Sequence, residues 1–467
     1  MTATDDDPVH GDAACGAHSR SDHGGRDALV TLLVATALFR VTQNMALTTL
    51  SLLGREKLGL HAGAIGVVGA VAGLAMAAVT FTVSGRVPPR RAAASAASGM
   101  TILVVALVTF ALASSFGMLV AAALLLGAAG GLAMPGLINA VVFVAGGRRE
   151  RAIGLYTITL SLSLALGPVM ESVMLSIGNQ DVRTPFVLFS FLPALGVLAI
   201  AASLRWSRRG RPSPATVIPP RPAGAHPDTG GTRALGADAG TRDPETGTPA
   251  PGAGAGTPRA PGSTPDRPSG PWTARWRSGL LGSREGRVAL IAQLLYAIPF
   301  AGVTVFGALV ARIGFGVSPA MAQVAFTVFF VLSFASRGAV TVRSPIARKL
   351  PLFWAAASLT AAGLLLLGLG HGLVLLLVAM GVLGIPHGLT FPLALAMAAD
   401  STDLAGLPRA NATLLGSTNL AAVIVPLVLG AIVPAVGYRG IALVLLAPVA
   451  VCAALLFTQR TPGAVTG

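Results

Sequence analysis

Long apolar runs without charge, each close to the length of a bilayer-crossing helix, alternate along this chain with short polar segments. Since about 20 residues of helix cross the hydrocarbon, the runs resolve into twelve predicted helices: 28–53, 62–84, 93–114, 117–142, 153–177, 184–204, 287–311, 317–338, 350–370, 372–398, 408–434 and 438–458. Six precede and six follow a polar stretch. The predicted fold class is therefore an all-α membrane protein of two tandem six-helix bundles, 28–204 and 286–460. A tail over 1–27, a linker over 205–285 and a short tail over 461–467 complete the chain.

The second bundle repeats the first. Gly127-Ala-Ala-Gly130-Gly131-Leu132-Ala-Met-Pro135 reappears as Gly384-Ile-Pro-His387-Gly388-Leu389-Thr-Phe-Pro392. Pro168 and Pro426 stand at nearly the offset that relates Leu58-Gly59 to Ile313-Gly314. A duplicated bundle of this kind is the sequence signature of a secondary transporter, with its site between the halves.

Charge changes the picture less than its size implies. The chain is 53% hydrophobic and 11% charged, with a formal net charge of +15. That basicity is compatible with nucleic-acid binding until its placement is read. Only Arg55, Lys57, Arg183, Arg312 and Arg439 fall opposite the termini, and Arg40 lies within a helix. The other Lys and Arg, including those of the short loops near Arg86, Arg148 and Arg348, fall on the side of the termini. Positive residues stay in the cytoplasm, so both termini are predicted cytoplasmic and nucleic acid is not a predicted partner. The preference for Arg over Lys, with abundant Ala and Gly, points to a high-GC bacterium and hence to the cytoplasmic membrane. No cleavable signal is read before the first helix.

Cys15 and Cys452 are placed too far apart in the topology for a bridge. The tail carries the ligand types Asp5, Asp6, Asp7, His10, Cys15, His18 and His23, but their spacing matches no closed zinc pattern. The tail is predicted disordered, with no metal or cofactor. The Pro-, Gly- and Thr-rich linker cannot bury enough surface to offset its chain entropy and is predicted to be a flexible cytoplasmic connector. Its end, Pro271-Trp272-Thr-Ala-Arg275-Trp276-Arg277, reads as an interfacial anchor.

Three features resemble the major facilitator superfamily. One is the six-plus-six plan with a long central loop. Another is Ser84-Gly85-Arg86-Val87-Pro88-Pro89-Arg90-Arg91 between the second and third helices, similar to the family's Gly-x-x-x-Asp-Arg-x-Gly-Arg-Arg loop but shorter and without the acid. The third is Gly167-Pro168-Val-Met-Glu171 in the fifth helix, similar to the Gly-Pro-x-x-Gly of the family's proton-coupled antiporters. The resemblance implies a pseudo-twofold architecture and a monomer. It also implies a gating loop at Gly85, Arg86, Arg90 and Arg91, and a cavity lined by the first, fourth, seventh and tenth helices.

Polar residues on those four helices are the candidate substrate site. Arg40 sits near mid-depth, where a guanidinium costs roughly 2.5–3.5 kcal/mol even on the lenient insertion scale. Asn44 and Thr48 continue its stripe at helical spacing, with Gln43 beside it. Asn139 on the fourth helix, Gln293 and Tyr296 on the seventh, and His387 on the tenth complete the set. His387 reads equally as a ligand-facing group or as a neutral ring bonded between helices. Met134 and Phe391 read as packing. Glu171 is the one acid placed inside a membrane helix and is the candidate proton carrier. Three readings stay open: Arg40 binds an anionic or polar part of the solute, Arg40 pairs with Glu171 or another acceptor, or Glu171 is solvated at the outer interface. Asp400 and Asp403 read as loop ion pairs across from Arg409.

The chain has no G-x-S-x-G elbow, H-E-x-x-H, P-loop or acid cluster with metal spacing, so no enzyme is predicted. The leading expectation is proton-coupled efflux of a small organic solute. The alternatives are import of a small organic anion anchored by Arg40, and a transporter-like membrane sensor.

Overall fold

The computed structural model describes residues 12–83, 86–145, 149–209, 280–343, 346, 348–402 and 407–459. Gly85, Asp403, Trp272, Trp276, the first eleven residues and nearly all of the linker lie outside the described residues.

Every regular element among the described residues is helical. The first half contains α1 (Asp12–Glu56), α2 (Ala62–Val83), α3 (Ala92–Leu112), α4 (Phe116–Ala145), α5 (Arg149–Ile177), α6 (Thr184–Phe189) and α7 (Phe191–Arg209). The second contains α8 (Arg284–Leu309), α9 (Pro319–Arg343), α10 (Leu350–Leu369), α11 (Gly372–Asp400), α12 (Leu407–Val444) and α13 (Leu446–Thr458). α6 and α7 together form one crossing, broken only at Ser190.

One boundary departs from expectation. α1 begins at Asp12, so part of the segment expected to lack order is helical. Ala13, Ala14 and Ala17 are strong helix formers, and extending a formed helix costs far less than nucleating one. The final apolar segment covers Ala410–Thr458, 49 residues, which as one straight helix would be about 73 Å, twice a bilayer. Gly437, at φ 72° and ψ 172°, divides it into the eleventh and twelfth crossings. Beyond that break Arg439 donates to the Gly370 carbonyl between α10 and α11. The end of the same segment meets the start of α8, where Arg284 Nε donates to the Gln459 carbonyl at 2.6 Å.

The duplication is visible in the turns. Gly59 and Gly316 follow the first helices of the two halves with φ 63° and 71°, a left-handed conformation that glycine adopts without steric cost. Gly316, rather than the Gly314 matched from sequence, is therefore the counterpart of Gly59. α8 is started by Ser283, whose hydroxyl accepts from the Gly286 N–H at 3.0 Å.

The halves meet closely at the distal end, remote from the termini. Glycines on α2 remove the bulk that would separate it from α12: a Cβ at Gly66 would lie 2.3 Å from the Pro426 carbonyl oxygen, and one at Gly73 would lie 3.0 Å from that of Ala422. Gly69 packs on Val305 and Pro426. Arg312 after α8 pairs with Glu56 of α1 at 2.9 Å, and Gln180 accepts from the Ala320 N–H at 3.0 Å. At the other end α4 and α11 pack within their own halves and, among the described residues, not appreciably on each other. The two halves thus pack through α2–α12 and α5–α9, are tied together distally, and keep α4 and α11 apart near the termini.

Candidate functional site

The polar residues of α1 are divided between two clusters. Pro168 lacks an N–H, so the Leu164 carbonyl one turn earlier has no helical donor. Asn44 Nδ2 supplies one at 3.1 Å. Gly167 lets α5 approach, since a Cβ there would lie 3.0 Å from the Val41 carbonyl. One turn further, Glu171 is fully buried and accepts from the Thr49 hydroxyl, with Thr48 Oγ1 at 3.4 Å. Asn44, Thr48, Gly167, Pro168 and Glu171 therefore form one α1–α5 contact, and Asn44 is a structural partner of the backbone.

Arg40 belongs to the second cluster. Its guanidinium, half-buried, donates to Gln43 Oε1 at 2.7 Å. The ion pairs among the described residues are Lys57–Asp181, Arg312–Glu56 and Lys349–Asp400, so Arg40 and Glu171 do not bridge. Asp400 pairs with Lys349, because α10 starts beside the end of α11, and the side chain of Arg409 lies outside the described residues.

Across the interface stands a residue that the sequence reading assigned to the cytoplasmic side. Arg337 of α9 donates to Ser161 Oγ of α5 at 3.0 Å, and its buried Nε has no hydrogen-bond partner. Ser161 lies about 14 Å into α5 counted from Ala152, and Arg40 about 18 Å into α1, so the two guanidiniums are at similar depth. They interact electrostatically with each other and both with Tyr296 and His387. Tyr156 joins from α5, near Arg40, its hydroxyl 3.4 Å from the Met134 carbonyl.

The second half supplies a ring wall. His387 is buried, its Nδ1 2.6 Å from Ser333 Oγ, and it is surrounded by Tyr296, Phe300, Phe329 and Phe330 with centroid separations of 5.0, 4.3, 5.0 and 5.9 Å. The cavity beside it is about 20 Å³, close to the space of one water, so these rings form a packed wall. In the first half the equivalent place is empty of side chain at Gly130, and Gln43 fills it: a Cβ on Gly130 would lie 2.4 Å from Gln43 Nε2.

Other expected site residues lie elsewhere. Gln293 is buried against α12, donating to Thr418 Oγ1 at 2.6 Å, with its Oε1 unpartnered. Asn139 is exposed. Arg86, Arg90 and Arg91 are exposed between α2 and α3, with Arg86 donating to the Thr82 carbonyl. A cavity of about 880 Å³ among α2, α8, α12 and α13, lined by residues such as Phe81, Leu294 and Leu420, is almost wholly apolar and separate from this cluster.

The family model described as Major Facilitator Superfamily matches residues 32–341 and again 289–466. No curated protein matches. Solved structures share the fold. The nucleoside transporter NupG is 15% identical with a TM-score of 0.63, over 92% of this chain and 98% of its own. A bacterial homologue of the human lysosomal transporter Spinster, in an inward-facing and unoccupied conformation, is 14% identical with a TM-score of 0.64, over 94% and 99%. A POT family transporter in complex with a thioalcohol-conjugated peptide is 10% identical with a TM-score of 0.62, over 93% and 96%.

Proposed function

Since this chain belongs to the major facilitator superfamily, we propose that it is a secondary active transporter that exports a small organic solute across the cytoplasmic membrane in exchange for protons. It acts as a monomer with both termini in the cytoplasm. The observation that carries this reading is the pairing of distal closure, through Glu56–Arg312 and Gln180–Ala320, with separation of α4 and α11 at the end of the termini. Such a body holds its polar centre open to one side at a time, as alternating access requires.

In this reading the solute contacts Arg40, Gln43, Tyr296 and His387 between the halves. Glu171, enclosed one turn beyond Pro168 and held by Thr48 and Thr49, carries the proton. The loop of Arg86, Arg90 and Arg91 borders the cytoplasmic opening. Import of a small organic anion is the second reading. It is favoured by the partner of Arg40, a neutral glutamine rather than an acid.

Inverted and right-side-out vesicles containing the full chain separate the two. Export predicts that a transported compound added to inverted vesicles collapses an imposed pH gradient, and that Glu171→Gln uncouples uptake from that gradient. Gradient dependence unchanged by Glu171→Gln removes the proton role, and uptake confined to right-side-out vesicles establishes import instead.

A further inference from the structure

Arg337 has no role in the reading above, and nothing in the sequence repeat requires it. It stands on α9 of the second half, at the depth of Arg40 on α1 of the first. Two guanidiniums on opposing halves repel, and each carries five N–H donors. Among the described residues their partners are neutral: Gln43 for Arg40 and Ser161 for Arg337. Arg337 Nε is buried with no partner at all. A buried cationic donor without an acceptor is costly unless something completes it. Glu171, the one fully buried carboxylate among the described residues, is committed to Thr48 and Thr49.

We infer that Arg40 and Arg337 form a two-armed clamp for a doubly charged organic oxyanion, a dicarboxylate or phosphomonoester, with the ring wall around His387 receiving its carbon body. The inference rests on the transport reading and deepens it by naming the cargo. Planar guanidiniums bind carboxylate and phosphate oxygens through paired N–H donors. An anion between them replaces repulsion by two attractions and draws the halves together. Without cargo, Arg337 is tied across the interface only to the neutral Ser161, and the two like charges share no counter-ion. Binding and closure are then one event, because the ligand favours the closed state by the interactions made only there.

Equilibrium binding to the purified full chain in neutral detergent tests this without requiring flux. The probes are phenylphosphate and succinate, set against benzyl alcohol and succinamide as uncharged counterparts, with thermal stabilisation and calorimetry as readouts. At millimolar concentration at least one dianion binds and raises the melting midpoint, and the neutral compounds do not. Arg337→Gln and Arg40→Gln each weaken that binding at least tenfold, with the unliganded midpoint of Arg337→Gln unchanged or raised. Arg337→Lys, which keeps the charge but not the paired donors, binds at an intermediate level and carries the test should the glutamine variant misfold. The clamp is overturned if neither dianion binds the wild-type protein, if the neutral counterparts bind as well, or if Arg337→Gln binds like wild type. Stabilisation by phosphatidylglycerol alone, added in place of the soluble anions, overturns the assignment to a solute. Anion binding without vesicle flux would remove the transport reading and leave the clamp, and flux of uncharged compounds without anion binding would do the reverse.

Discussion

Asn44 Nδ2 donates at 3.1 Å to the Leu164 carbonyl, the very carbonyl that Pro168 deprives of its helical donor. A residue of α1 thus repairs a break in α5, and the two helices are fastened where Glu171 is buried one turn further on.

Asn44→Leu should therefore cost about 1–3 kcal/mol, the penalty of an orphaned buried polar group. Pro168→Ala restores an N–H at that position and should shrink the loss. Thermal midpoints of the two single variants and the double variant in one detergent check the coupling, and additive losses would refute it.

At the distal interface Gly66→Val places side-chain carbon against the Pro426 carbonyl, where even a Cβ would be 2.3 Å away. Backbone must move, and overpacking of this kind costs about 1–3 kcal/mol. We expect the distal seam to open, so that a cysteine introduced at Ala320 reacts faster with a polar maleimide than in the parent.

The Arg312–Glu56 pair is partly exposed, at 42% and 25%. Pairs of this kind are worth about 0.2–1 kcal/mol, so Glu56→Gln should shift the open-to-closed ratio at most about fivefold. Reversing both charges together should restore it. The same maleimide rate reads both outcomes.

Asp181 lies outside the spans, in the turn after α5, 3.1 Å from Lys57. Partial burial alone would raise its pKa. The Arg183 N–H and Lys57 outweigh that and hold the carboxyl below its usual value. A depressed pKa stabilises the fold above the unfolded value, about pH 4, and that contribution disappears as pH falls through the folded one. Asp181→Asn should abolish this part of the acid sensitivity, seen as a flatter dependence of the melting midpoint on pH below about 5.

The apolar periodicity and the duplicated glycines and prolines were enough to read the two six-helix halves, because the bilayer fixes helix length and the repeat fixes their number. The boundary expected between residues 434 and 438 falls at Gly437, even though helix runs to both sides of it. The Glu171 contacts were not, since counting residues gives depth along an axis but not rotation about it. Asn44 looked like a ligand for the same reason: its partner is a backbone atom that only Pro168 betrays. Arg337 was missed because a basic residue near the cytoplasmic end of a helix is what topology alone demands. Its distance from the helix terminus, six residues before Arg343, was the available signal.

The unlike fillings at Gly130 and His387 have a consequence for what the protein can tell apart. Rotating one half onto the other exchanges an amide for an imidazole ringed by benzene faces, so the chamber has a front and a back. Under the transport role proposed above, cargo lying between the halves meets an amide on one side and aromatic faces on the other, so its two ends are held unequally.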